Sequence, residues 1–187
     1  VDFCIGLCRE FNLVFPLSTD IVNHYYMNEY IRTQASNMQQ NLGDPPNVAG
    51  WAAYYQEPQF HELWINSDTL PRRSQFSDTM IGNGYTRNGK NITIDILAFV
   101  DSLSNPADPN ILISDSLSVI YSIDISQEAR VFLKNILLSG QSNDSYWTTA
   151  WVTYKANVNN TANRTIVLTR LKSMFKYLMN LPEYQLS

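Results

Sequence analysis

"NRTIVLTRLKSMFKYLMNL", residues 163–181, decides the fold. Val167, Leu171, Met174, Leu178 and Leu181 recur at steps of three and four, and Leu168, Phe175 and Met179 broaden the stripe. That period belongs to a helix with one wide buried face. Pro182 follows and stops it.

The same period continues upstream. In "YWTTAWVTYKANV" (146–158), Tyr146, Trp147, Ala150, Trp151 and Tyr154 share a face. At core spacing on a helix, Trp147 and Trp151 read as buried packing residues. Ser126 caps a helix carrying Ala129, Phe132, Leu133, Ile136 and Leu137, closed by Gly140. Ile111 to Tyr121 reads as a helix after the proline-punctuated break "NPADPN" (105–110), and another is predicted near 93–103. "DFCIGLCREFNLV" (2–14) predicts a helix stopped before Pro16. "STD" (18–20) offers caps for a helix from Ile21 to Leu42 with Met27, Ile31, Ala35, Met38 and Leu42 in its stripe, ended by Gly43. Ser67 or Asp68 caps a helix over 69–81 that tolerates Pro71 in its first turn. "GNGYTRNGKN" (82–91) reads as a turn-rich loop: Asn88-Gly89 could close a hairpin, but the flanks lack strand alternation. The expectation is an all-α protein, an irregular bundle of roughly eight helices with one long Pro/Trp-rich irregular segment, and a single helical domain over 1–187.

Composition narrows the function classes. With 187 residues, 44% of them hydrophobic, the chain can bury a sizeable core. A net charge of −4 lacks the basic field that phosphates require, so no nucleic-acid partner is expected. No apolar run reaches the ~20 residues of a membrane span. Only 16% of residues are charged, below the usual ~25%, and Asn, Gln, Ser and Thr fill the gap.

Chemical motifs are sparse. Cys4 and Cys8 fall on one face of a helix, where both Cβ vectors point the same way and disfavour a disulfide, so they read as small buried residues. His24 lies beside an apolar stripe and reads as structural. His61-Glu62 is half of a zinc-protease signature, but Ile65 stands where the second histidine belongs. Asp44, Glu57, His61 and Glu62 could converge in a loop, yet no metal and no cofactor are expected. The acid pairs Asp95/Asp101 and Asp124/Glu128 lie on expected helix surfaces. No catalytic constellation is visible. Sequons stand at Asn91, Asn143, Asn159 and Asn163, and Asp-Ser/Thr-apolar triplets at Asp68, Asp78, Asp101 and Asp115. The triplets resemble an O-glycosylation signal of exported proteins, but helix caps produce them too.

The irregular segment, "GDPPNVAGWAAYYQEPQFHELWIN" (43–66), concentrates the aromatics. Tyr54, Tyr55, Phe60, His61 and Glu62 in its middle are candidate binding residues, because loops held by rigid scaffolds carry function. Its ends read as a clamp that packs Trp51 and Trp64 and satisfies irregular backbone through Asn47 and Asn66.

"NLGDPPNVAGW" followed by "WINSDTLPRRSQF" resembles the hallmark of DUF1800, a family of large exported bacterial proteins of unknown function. Pro45, Pro46, Asn47, Val48, Gly50, Trp51, Trp64, Ile65, Asn66, Thr69, Leu70, Arg73 and Phe76 match its order. The insert between Trp51 and Trp64 is longer than the family's short link, and Pro71 replaces an ordinary helix residue. The wording is most similar to members from Bacteroidetes. The resemblance implies a helical fold, export to the periplasm, cell surface or medium, and a chain that is the C-terminal portion of a larger protein. It implies as partners the upstream part of the same chain and a co-encoded exported family, DUF1501. It implies no activity. The resulting expectation is a non-catalytic structural or interaction module. The alternatives are a glycan or cell-envelope binding module using 51–64, and part of an enzyme whose site is completed upstream.

Overall fold

The computed structural model describes residues 2–41, 43, 65–121 and 124–186. Nine helices and one two-stranded sheet occur among them, so the all-α expectation holds. The Pro/Trp-rich segment, with Pro45, Pro46, Asn47, Gly50, Trp51, Tyr54, Tyr55, Phe60, His61, Glu62 and Trp64, lies outside the described residues. The chain divides into two compact units, one from residues up to Ile94 and the other from Asp95–Gln185.

The first unit holds α1 (Asp2–Glu10), α2 (Ile21–Asn37), α3 (Thr69–Gly82), β1 (Tyr85–Arg87) and β2 (Lys90–Ile92). α2 is its hub and packs on α1, α3 and β1. Its stripe of Met27, Ile31, Ala35 and Met38 is buried, as the spacing predicts. Phe76 of α3 lies between Phe3 and Tyr30, with both centroids 6.3 Å away. Tyr30 in turn stacks on Tyr85 at 3.9 Å, with the rings within 5° of parallel. Aromatic pairs in such geometries add about 0.5–1.5 kcal/mol beyond their buried area.

The 82–91 region corrects the sequence reading: it is a hairpin, not a loop alone. β1 and β2 pair antiparallel, with Tyr85 opposite Ile92 and Arg87 opposite Lys90. Asn88 (φ 52°) and Gly89 (φ 73°) supply the two positive φ values of a type I′ turn. The Asn91 amide donates to Asn83 O at 2.9 Å and Thr86 Oγ1 at 2.7 Å. The hairpin is held by α2, since Tyr85 stacks on Tyr30 and Arg87 lies 3.5 Å over the Tyr26 ring. Three-residue strands are too short to show alternation.

Helix ends also differ from the sequence reading. α2 stops at Asn37, not Leu42, because Gln39 turns left-handed (φ 60°). Gln40 N then donates to Ala35 O (2.8 Å) and Gln39 N to Ser36 O (2.9 Å), the double bond of a Schellman cap. α1 ends the same way on Asn12 (φ 46°), through Leu13 N to Cys8 O and Asn12 N to Arg9 O. So does the helix closed near Gly140, where Ser139 (φ 53°) takes the left-handed position that the sequence reading gave to the glycine.

The second unit holds α4 (Ile96–Asp101), α5 (Pro109–Ile120), α6 (Gln127–Leu137), α7 (Ser145–Ala156), α8 (Thr161–Asn180) and α9 (Pro182–Leu186). The opening stretch is its hub: α8 packs on α4, α6 and α7, and α5 packs on α6. Val167, Leu171, Met174, Phe175 and Leu178 have no exposed surface. α8 starts two residues earlier than its pattern suggests. The Asn160 carboxamide accepts from Ala162 N (3.0 Å) and Asn163 N (3.1 Å) and fixes that start. Pro182 ends α8 and opens α9, the ninth helix that the sequence count lacked.

Capping residues set most of the other boundaries. Asp95 accepts from Ala98 N (3.0 Å), and Asp108 from Asn110 N (2.8 Å) with Pro109 at the first helical position. Trp147 and Trp151 are buried, as expected. The Trp147 indole donates to Pro106 O (2.8 Å) and the Thr148 hydroxyl to Ala107 O (2.8 Å), so α7 pins the proline break. Arg170 of α8 donates to Tyr146 O (3.0 Å) and to Leu137 O (3.3 Å) at the end of α6, a favourable place for a cation.

Candidate functional site

Only the downstream end of the family-like motif is among the described residues, and it builds the start of α3. The Asn66 side-chain oxygen accepts from Asp68 N and Thr69 N, each at 2.9 Å. In return the Thr69 hydroxyl accepts from Asn66 N at 3.0 Å, and Leu70 N donates to Asn66 O at 3.0 Å. This is a capping box with threonine in the place usually held by glutamate or glutamine. The cap is therefore Asn66, upstream of the Ser67 or Asp68 read from sequence. The spacing Asn-x-x-Thr is the pattern that identifies it. Thr69 has no exposed surface, so the box sits at the edge of the core.

One turn further along α3, Arg73 is buried, and its guanidinium carbon lies 4.1 Å from the centre of the Phe3 ring. A desolvated cation over an aromatic face contributes about 2 kcal/mol. Phe76, another turn on, closes the same cluster against Phe3 and Tyr30. Leu70 keeps part of its surface exposed. Burial beside Cys4 and Tyr85 pushes the Tyr30 hydroxyl up to about 12, so this cluster stays uncharged apart from Arg73 across the physiological range.

The remaining sequence candidates resolve into structural roles. Cys4 and Cys8 are free and buried. His24 is half-buried, and its Nδ1 lies 2.8 Å from the Pro16 carbonyl, which can only accept. The ring therefore donates from Nδ1 and ties the loop to α2. Asp101 pairs with Lys155 and Asp124 with Arg130, both at 2.6 Å on solvated faces, and Asp95 is a helix cap. Among the described residues no three His, Cys, Asp or Glu side chains cluster. No described helix is long and apolar enough to cross a membrane. In the Asp-Ser/Thr-apolar triplets, Thr69 and Ser116 have no exposed surface. The hydroxyls of Thr79 and Ser102 bond back to Gln75 O (2.7 Å) and Phe99 O (2.6 Å) within their own helices.

The structure adds a polar junction that sequence reasoning missed. Lys134 of α6 donates to Asp144 at 2.8 Å and to the Asn110 side chain at 2.9 Å. Asn110 also donates to Asp144 at 3.0 Å and to Asp108 at 3.1 Å. One ammonium thus joins the starts of α5 and α7. It and the Asn110 amide hold the Asp144 carboxyl below its ordinary range. Beside this junction a groove of about 580 Å³ runs along α6, past Val131, Phe132, Asn135 and Leu138. In the first unit, Val14, Leu17, Ile21, Val22 and Tyr25 are exposed within one short stretch.

Comparison with known proteins yields one family. The sequence pattern of the family described as "Protein of unknown function (DUF1800)" matches residues 1–186. No curated protein and no solved structure matches the chain. A pattern that spans nearly every residue places the chain: it belongs to the DUF1800 family.

Proposed function

We propose that this chain is a non-catalytic structural and interaction module. One observation carries the reading. Asn66, Thr69, Arg73 and Phe76 from the family-like motif all contact the chain itself, through a helix cap and a buried aromatic cluster. Side chains that carry out chemistry face a cleft instead. The exposed apolar stretch from Val14 to Tyr25 supports the interaction part, since contiguous apolar surface marks contact sites. On the likeness of its motif, we further read the chain as the C-terminal portion of a larger exported bacterial protein, similar to members from Bacteroidetes. The upstream chain and a co-encoded DUF1501 protein are then its natural partners.

The test is thermal melting followed by circular dichroism. Asn66→Ala removes the cap acceptor and should cost about 1 kcal/mol. Thr69→Val keeps the buried volume, removes the reciprocal acceptor, and should cost about 1–3 kcal/mol. Variants that melt with the parent would show that the motif serves something other than the fold.

A further inference from the structure

Cys4 and Cys8 lie one turn apart on the buried face of α1, both as free thiols. The Met38 thioether, at the capped end of α2, meets the first of them: Cys4 Sγ to Met38 Sδ is 3.7 Å. Cys4 and Met38 have no exposed surface, while Cys8, at 8%, is the edge nearest solvent. Metal–sulfur bonds run about 2.3 Å, so two sulfurs on one ion stand about 4 Å apart. Cys4 and Met38 are already at that separation. Side chains one helical turn apart have Cβ atoms about 5–6 Å from each other, a separation that two cysteine sulfurs on a shared ion can span, which makes Cys8 the third sulfur of the set.

We propose that Cys4, Cys8 and Met38 form a binding site for one Cu(I) ion, held by two thiolates and one thioether. Soft sulfur donors select monovalent copper over harder ions. Zinc ordinarily completes a four-ligand set of thiolate, imidazole or carboxylate. Among the described residues no third such group stands beside the two cysteines to supply one. Loading breaks two S–H bonds, forms two thiolate–copper bonds and one thioether–copper bond, and releases two protons to solvent. No electron is transferred. The loaded centre carries a net charge of −1. Arg73, itself buried, is near enough to favour the ionised form of Cys4. In the empty site burial dominates and pushes Cys4 up to about 12 and Cys8 up to about 11. Because loading releases protons, affinity should rise with pH.

The experiment titrates the full chain, reduced and oxygen-free, with Cu(I) against a chromogenic Cu(I) chelator. Ag(I) serves as a redox-inert parallel and Zn(II) as a control. The expected result is one Cu(I) retained per chain, with no matching retention of Zn(II). Cys8→Ser should abolish it. Met38→Leu, which conserves volume and keeps the fold, should weaken it at least tenfold while circular dichroism is unchanged. Loss of all Cu(I) to the chelator would overturn the site. So would equal affinity in a folded Met38→Leu variant, or Zn(II) held as tightly as Cu(I).

Discussion

Asp144 is a residue whose role depends on company. Its carboxylate takes hydrogen bonds from Lys134 and Asn110, which hold its pKa below the ordinary range. A lowered folded value means stabilisation that is present above the unfolded pKa, ~4 for aspartate. It is lost as pH falls through the lower folded value. Asp144→Asn should therefore melt below the parent at pH 7 and converge with it in strong acid. A melting series from neutral pH to about pH 2 checks this. The difference at pH 7 should stay within about 1 kcal/mol, because both side chains keep partial exposure. Nothing in the sequence points to this pair, since Lys134 and Asp144 sit on different elements and meet only after folding. Trp147, Trp151, Cys4 and Cys8 were legible for the opposite reason: helical spacing alone puts them on a buried face. Asn66 was half legible. Its partner Thr69 fills a position where glutamate is the familiar sign, so Ser67 and Asp68 competed for the cap.

At the scale of elements, existence was legible and endings were not. Eight helical patterns match eight helices because a periodic apolar stripe spans several turns. Ends depend on single residues, and α1, α2 and α6 close on Asn12, Gln39 and Ser139, none of them the glycine that marks such positions. The hairpin shows how tertiary contact overrides local pattern. Its strands have three residues each, and its stability rests on Tyr30 and Tyr26 of α2. Gly84 is its tightest point: φ is +68°, and a Cβ there would fall 2.1 Å from Ile92 O. Gly84→Ala should cost about 2–4 kcal/mol, from left-handed strain plus a backbone clash. Gly89→Ala, with φ +73° and open space around it, should cost only the strain, about 1–2 kcal/mol. Paired urea melts separate the two, and equal losses would mean that the close approach at Gly84 relaxes freely.

For the whole molecule, each unit is organised around one long helix, α2 in the first and α8 in the second. The α8 stripe was the clearest feature of the sequence, and Val167, Leu171, Met174, Phe175, Leu178 and Met179 along it are fully buried. The candidate binding residues Tyr54, Tyr55, Phe60, His61 and Glu62 lie outside the described residues, and an aromatic stretch without a period gives the sequence no means of inferring their contacts. The left-handed caps at Gln39 and Ser139 have a consequence for mutational tolerance. Each holds a side chain where glycine would be unstrained, so Gln39→Gly and Ser139→Gly should each raise stability by about 0.5–1 kcal/mol. The two positions belong to different units, so the gains should add, and denaturant midpoints of the double variant would show it. A chain that leaves such gains untaken sits below its attainable stability. Its lineage therefore has a ready reserve against which destabilising but useful changes elsewhere can be accepted.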